Sequence, residues 1–296
     1  MTYSEEIIVT GAGGTVGSAI CDYLQNMGLN VMAIYRTEPI VKLPWRYLVI
    51  DLEENNSYQS FGSLSSIKAL IHAAAVIPSF TNNDDDCFER NRRIDKNILK
   101  VLSAKPDINF IFISSTNLYG ISNSVVSEQS ELDITNKYAD AKFISENEFL
   151  DKHPKTTILR INAPYSPLQK SNTVLKIFID RVKRNLDIFY HGSGRRQQDF
   201  THVKDIALAV WLCLTKPVNG IFNISTGEPI AMRDLGELII SSFPNTTSRL
   251  IASGEIDNQE NYKAFYNCDK ARVLLGWKPN YTLAKGVKEW IKAIDK

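Results

Sequence analysis

Long apolar runs are missing from this 296-residue sequence, and none approaches the ~20 residues that a membrane-spanning helix requires. Cysteine is scarce. The four cysteines, Cys21, Cys87, Cys213 and Cys268, lie far apart and form no Cys-x-x-Cys pair. That argues against a disulfide framework and reads as reduced, mostly buried thiols of a cytoplasmic protein. The four histidines share no spacing with Asp, Glu or Cys that makes a metal site, and no metal is expected. An excess of one charge is also lacking, since 34 basic and 33 acidic side chains leave a net charge of +1. This balance argues against a nucleic-acid binder working through a broad basic field. The opening Met-Thr-Tyr-Ser-Glu-Glu is too polar and acidic for a signal peptide, and no low-complexity tract or internal repeat follows. What remains is an ordinary globular balance, 44% hydrophobic and 23% charged residues. At roughly 150 residues per domain, the length suits one large or two modest domains. A soluble intracellular protein with neither membrane nor nucleic acid as partner is expected.

The first half alternates apolar runs with helical patterns. Short strands are expected at Ile7–Thr10, Val31–Tyr35, Tyr47–Ile50, Ala69–His72, Asn109–Ile113 and Thr156–Ile161. Helices are expected after the first glycines to about Met27, from about Cys87 to Ala104, and from about Tyr138 to Asp151. Continuous apolar strands separated by helices predict an α/β fold, a doubly wound parallel sheet covered on both faces. Residues 1–163 form this dinucleotide-binding domain, and segments around 200–228 can return to it. Residues 164–296 are read mainly as a smaller mixed α/β substrate lobe. In it, helices about 173–185, 204–215 and 232–243 alternate with short strands such as Ile188–Tyr190, punctuated by Pro164, Pro167, Pro217, Pro229, Pro244 and Pro279. The acidic run Asn82–Asp86 reads as a solvated cap at a helix start.

Thr10-Gly11-Ala12-Gly13-Gly14-Thr15-Val16-Gly17 stands between the first strand and the first helix. Gly11 permits a tight turn, Gly14 lets backbone approach a pyrophosphate, and Gly17 lets helix and strand pack closely. The amides at the helix start then offer an anion site. An acid at the end of the second strand favours the ribose hydroxyls of NAD, whereas an arginine can meet the 2′-phosphate of NADP. This sequence has Tyr35-Arg36, which tips the expected cofactor toward NADP over NAD, although Arg36 also reads as a plain surface residue. Asp51-Leu52 after the third strand is placed to meet the adenine edge, or to form a turn.

Tyr138 and Lys142 are four residues apart, on one face of a helix. A tyrosine hydroxyl has a pKa of about 10, too high for a base at neutral pH. A neighbouring ammonium stabilises the phenolate, which can then exchange a proton with a substrate alcohol or alkoxide. Ser115 ends the preceding strand and can hydrogen-bond the same oxygen.

These residues resemble the extended short-chain dehydrogenases/reductases, in the nucleotide-sugar epimerase/dehydratase branch, over nearly the whole chain. Thr10–Gly17 is similar to their Thr-Gly-x-x-Gly-x-x-Gly turn, and His72-Ala73-Ala74-Ala75 to their His-x-Ala-Ala strand end. Asn91 and Asn97 fit their central helix, and Ser114-Ser115-Thr116-Asn117-Leu118-Tyr119-Gly120 their Ser-Ser-x-x-x-Tyr-Gly segment. Asp199-Phe200-Thr201-His202-Val203-Lys204-Asp205, Phe222–Gly227 and Leu275–Pro279 match their later landmarks. The resemblance implies a Rossmann fold with Ser115, Tyr138 and Lys142 as catalytic residues. It places cofactor contacts on Gly11, Gly13, Gly14, Thr15, Val16, Gly17, Arg36, Asp51, Leu52, Ala73, Ala74, Asn91, Tyr138, Lys142 and Pro164. Substrate contacts fall on Ser115, Arg196 and Gln198.

The resemblance further implies hydride exchange between a nucleotide-linked sugar, or another small carbonyl compound, and a nicotinamide. Dehydratases of this branch carry an acid just after the catalytic serine or threonine; here Thr116-Asn117-Leu118 follow, which disfavours dehydration. Reduction of a 4-keto sugar is the leading expectation, with a 4-epimerase holding NAD tightly as runner-up. A non-catalytic dinucleotide sensor is the third reading, but sensors tend to lose the Ser/Tyr/Lys set that this chain keeps. Two departures concern substrate: Gln198 stands where relatives often have an arginine, with Arg195 and Arg196 just before it, and Ala163 stands where many have an asparagine. A homodimer through helices about 88–104 and 137–151 is expected. His72 and His202 read as packed residues, His153 and His191 as surface or loop residues, and the tryptophans as packing. Phe189, Tyr190, Phe265 and Tyr266 could line a pocket or the core.

Overall fold

The computed structural model describes residues 5–64, 66–78, 83–121, 124–169, 171–216, 218–263 and 265–294. Met1–Ser4 of the polar N-terminus, Asn82 of the acidic run and Pro217 lie outside the described residues. The chain runs β1 (Glu6–Thr10), α1 (Thr15–Asn26), β2 (Val31–Tyr35), β3 (Arg46–Val49), β4 (Ile67–His72), α2 (Asp84–Ala104), β5 (Asn109–Ser115), α3 (Lys137–Lys152) and β6 (Thr156–Ile161). It continues through β7 (Pro164–Tyr165), α4 (Val174–Lys183), β8 (Ile188–Tyr190), β9 (Gln197–Gln198), β10 (Thr201–His202), α5 (Val203–Thr215) and β11 (Gly220–Ile224). The last elements are β12 (Ile230–Ala231), α6 (Met232–Ser241), β13 (Leu250–Ala252) and α7 (Leu283–Ile294).

Seven parallel strands form the main sheet in the order β11-β6-β5-β4-β1-β2-β3. The apolar runs of β1 and β2 are buried on both faces, as a sheet covered by helices demands. Alternation along β1 sends Ile7 and Val9 to the face covered by α1 and α5, and Ile8 to the face covered by α2 and α3. On the second face Phe149 of α3 packs against Phe110 and Phe112, with ring centroids 4.7 and 4.9 Å apart. β3 is a half-exposed edge strand, and it starts one residue earlier than its apolar run suggests. The order reverses between β1 and β4, which opens a crevice at their carboxyl ends.

α2 begins at Asp84, three residues before its first apolar position, because the Asn83 side chain accepts the Asp86 amide at 2.7 Å. α5, β11 and Trp277 join the main sheet and its first core, so chain order does not separate the layers cleanly. A second body of apolar residues, including Tyr165, Leu175, Phe178, Ile188, Leu235 and Trp290, gathers α4, α6, α7 and β8 beside the sheet. Three small two-stranded sheets, β7 with β10, β9 with β12, and β8 with β13, connect these layers.

Of the two readings of His153, surface or loop, the loop holds and the surface does not. The residue is buried just after α3, with Nε2 2.9 Å from the Ile108 carbonyl and the ring edge-on to Phe110. A polar side chain at that turn can enter the core because a backbone carbonyl there meets its ring nitrogen. All four cysteines are buried and free.

Candidate active site

The crevice starts at the glycine turn. Gly11 takes φ +69°, and a Cβ there would lie 2.5 Å from the Ala74 amide nitrogen after β4. A Cβ on Gly17 would lie 2.2 Å from the Gly11 carbonyl oxygen, so helix and turn touch without room for a side chain. α1 then opens at Thr15 with no side-chain cap on its amides and no acid in its first turn. Gly13 and Gly14 are exposed, and Thr15 and Val16 half-buried, around this opening. Uncapped amides beside a bare turn fit a pyrophosphate, so the residues present suit a dinucleotide. Ala73 and Ala74 form the opposite wall, half-buried.

At the far end, Arg36 follows β2 with its side chain 61% exposed and Nη1 3.7 Å from Glu53. Glu53 also takes two hydrogen bonds from Arg90, at 2.8 and 2.6 Å, and lies 3.6 Å from Arg93. Hydrogen bonding from Arg90 holds its carboxyl below the usual range, against the effect of burial. Sequence reasoning missed Glu53, Arg90 and Arg93, because their meeting joins α2 to the segment after β3. Asp51 accepts the Glu53 amide at 2.9 Å, which is the turn role weighed for it. Leu52 is buried, and its carbonyl accepts the Asn97 side chain at 2.9 Å.

Asn91 is buried, and its amide makes two 2.8 Å hydrogen bonds with the backbone of Val76. It therefore shapes the crevice by fixing the chain that follows Ala73-Ala74-Ala75.

The candidate catalytic residues stand at the sheet's carboxyl edge. β5 ends at Ser115, whose hydroxyl accepts the Asn117 amide at 3.1 Å. Asn136 caps α3 by accepting the Ala139 amide at 2.8 Å, placing Tyr138 in the first turn and Lys142 one turn later. Lys142 is buried and donates to the Ile113 carbonyl at 2.9 Å, with its nitrogen 4.3 Å from the Phe112 ring centre. Burial pushes the Lys142 ammonium down, opposed by the carboxylates of Asp95 and Glu146. Burial likewise pushes the Tyr138 phenol up, helped by Asp95 and Cys87. In this environment the proton-bearing phenol is the favoured form, ready to donate.

Buried polar chains brace this edge. Glu146 takes Arg160 at 2.6 Å and Ser114 at 2.5 Å, and Arg160 reaches Tyr119, whose hydroxyl donates to Asn223 at 2.7 Å. His72, packed between Thr10 and Asp95, belongs to a second chain.

The substrate candidates have separate hydrogen-bond partners, although Gln198 lies beside Thr116, the residue after Ser115. Gln198 donates to Asn162 at 3.3 Å, and Thr116 donates to the same Asn162 oxygen at 3.1 Å. Arg196 instead lies 3.2 Å from Asp257 and donates to Gln259 at 3.2 Å. Ala163 is held at φ +28°, a conformation that L-residues rarely adopt, and half-buried Pro164 follows in β7. Tyr266 is buried and shares a 2.6 Å hydrogen bond with Tyr262, while Phe189 and Phe265 are 43% and 40% exposed. In the Asp199–Asp205 segment, Asp199 takes the Ser225 hydroxyl and the Gly227 amide, and Asp205 takes the amides of Asn280 and Tyr281. Those acids hold late segments in place.

Residues 7–225 match the sequence model of the NAD dependent epimerase/dehydratase family. The chain belongs to this family. It is an NAD(P)-dependent enzyme of the extended short-chain dehydrogenase/reductase type, with the nucleotide-sugar epimerases, dehydratases and reductases as its kin. It is 26% identical to a dTDP-4-dehydro-6-deoxyglucose reductase of Escherichia coli, covering 97% of each chain. To a putative UDP-glucose 4-epimerase of Methanocaldococcus jannaschii it is 25% identical, over 97% of this chain and 98% of that one. The fold superposes on a UDP-glucose 4-epimerase of Thermotoga maritima with a TM-score of 0.86 and 22% identity, covering 98% of this chain and all of the other. Among the described residues, no helix is long and apolar enough to cross a membrane, and no cluster of ligands suits a metal ion.

Proposed function

We propose that this member of the family reduces a keto group, at C4 of a nucleotide-linked sugar, with NADPH as the preferred cofactor. The observation that carries the reading is the charge at the adenosine end of the crevice. Arg36, Arg90 and Arg93 lie around Glu53, and Arg90 also reaches Asp86 at 3.5 Å, which leaves three guanidinium groups against two carboxylates. A 2′-phosphate carries nearly two negative charges and is suited to guanidinium forks. Similarity to a dTDP-4-dehydro-6-deoxyglucose reductase supports the same direction.

A nicotinamide dinucleotide held by the glycine turn and the first amides of α1 would supply a hydride for the carbonyl carbon. Tyr138 gives its phenolic proton to the carbonyl oxygen, so C=O becomes a C–O single bond with a new C–H and a new O–H bond. Lys142 supports the phenolate left behind, and Ser115 steadies the developing alkoxide by hydrogen bonding. α2 and α3 are the helices through which we place a homodimer.

An epimerase with tightly held NAD is the second reading, favoured by the Glu53 carboxylate, which could meet ribose hydroxyls near Arg36. Deuterium transfer separates the two. With 4-deuterated NADPH and dTDP-4-dehydro-6-deoxyglucose as probe, a reductase puts deuterium on C4 and consumes cofactor stoichiometrically. Sugar turnover with no consumption of added cofactor would remove the reductase reading.

A further inference from the structure

Two buried carboxylates act on Lys142, and they are differently engaged. Glu146, on the same helix, is paired with Arg160 of β6. Asp95 faces α3 from α2, and among the described residues its only ion-pair partner is the ring of His72. One Asp95 oxygen lies 2.8 Å from His72 Nε2, and the other accepts the Ser145 hydroxyl at 2.5 Å. Arg92, nearby on α2, turns instead to Ser145 and Glu148.

Burial drives the His72 ring toward its neutral form. Thr10 Oγ accepts the Ala74 amide and lies 2.7 Å from His72 Nδ1, so its proton goes to that nitrogen and Nε2–H donates to Asp95. Burial works against the Asp95 anion, but the His72 ring, through its hydrogen bond and its electrostatics, then the charge of Lys142 and the Ser145 hydrogen bond keep it below the usual carboxylate range. An anion buried beside a neutral ring and a hydroxyl requires a cation.

We propose that Asp95 is a positioning residue of the active site, held by His72 and Ser145 as the counter-charge that keeps Lys142 an ammonium. The inference rests on the reading of Lys142 as the support of Tyr138. Lys142, Tyr138 and Ser145 fall on one face of α3, toward Asp95. The other groups around this pair are Cys87 and Arg92 from α2, the latter on the same Ser145 hydroxyl as Asp95, His72 from β4, Glu146 from α3, and the Ile113 carbonyl and Phe112 ring from β5. Through Thr10 the same chain of hydrogen bonds reaches the glycine turn, so phosphate site and proton-transfer site share one buried brace.

The test is an NMR titration of the protein carrying 13Cε-labelled lysine, with Lys142 assigned by Lys142→Arg. Asp95→Asn keeps the shape and removes the charge, and it should lower the Lys142 midpoint by about one pH unit or more. Asp95→Glu should restore the midpoint. An unchanged midpoint in folded Asp95→Asn overturns the proposal. If that variant does not fold, 13Cγ-labelled aspartate in the wild-type protein decides, with Asp95 assigned by its response to Ser145→Ala. Titration of Asp95 below about pH 4 supports the proposal, and titration at or above it overturns it. Normal turnover by Tyr138→Phe would defeat the functional reading and leave these titrations as they are.

Discussion

Glu146 and Arg160 form a buried ion pair, Oε2 to Nη2 at 2.6 Å, one turn along α3 from Lys142. Both side chains are almost wholly removed from solvent, at 2% and 4% exposure. The pair bolts α3 to β6, and Ser114 adds β5 through the same carboxylate. It fixes the helix that carries Tyr138 and Lys142.

Glu146→Gln should therefore destabilise the protein by about 3–5 kcal/mol, since it leaves the Arg160 guanidinium buried without its counter-charge. Urea unfolding measures this, and a loss below about 1 kcal/mol would show that the pair is not the brace described.

Tyr138→Phe removes the hydroxyl and keeps the ring. Turnover is expected to fall by about 10²–10⁴-fold, the usual contribution of a positioned proton donor. NADPH binding should fall far less than turnover, because the phenol is one cofactor contact among many but the only proton donor assigned.

Arg36→Ala should weaken NADPH by about ten- to a hundredfold and leave NADH nearly unchanged, since only the former bears the 2′-phosphate. Equilibrium binding by cofactor fluorescence reads both constants. Equal losses for the two would place Arg36 outside the phosphate site.

Gly17→Ala introduces a methyl 2.2 Å from the Gly11 carbonyl oxygen, where no flexible side chain can yield. A loss of about 1–3 kcal/mol and much weaker dinucleotide binding are expected. Calorimetry with and without NADPH separates the two effects.

Burial of His202, stacked on Tyr281 at 3.9 Å, lowers its pKa to about 4. The unfolded chain binds that proton near pH 6.5, so the folded state loses stability as the pH falls from about 6.5 to about 4. Above that window the contribution is constant. His202→Gln should flatten this part of the stability profile, measured by chemical unfolding from pH 7 downward.

The doubly wound sheet was legible because its signals are local. β1 and β2 read as unbroken apolar runs, the glycine turn sits between a strand and a helix, and the spacing of Tyr138 and Lys142 needs only one helix to be interpreted. Contacts between distant segments were not legible. Glu53 meets Arg90 across 37 residues, and His72 meets Asp95 across 23, with no periodicity to announce either pair. His153 looked like a surface or loop residue because nothing nearby shows that the Ile108 carbonyl waits for it. The contact of Arg196 with Asp257 was hidden in the same way, since that acid arrives from a loop 61 positions later. Residue type and spacing disclose a helix face or a turn, whereas polar partners in the core are fixed only by packing.

The central claim is reduction with an exchangeable NADPH, and the nucleotide carried by freshly purified protein tests it most directly. The protein is denatured and any released nucleotide identified and counted. The account predicts no stoichiometric NAD, and tighter binding of NADPH than of NADH by the emptied protein. One NAD released per chain would contradict it and mark an enzyme that recycles its cofactor in place.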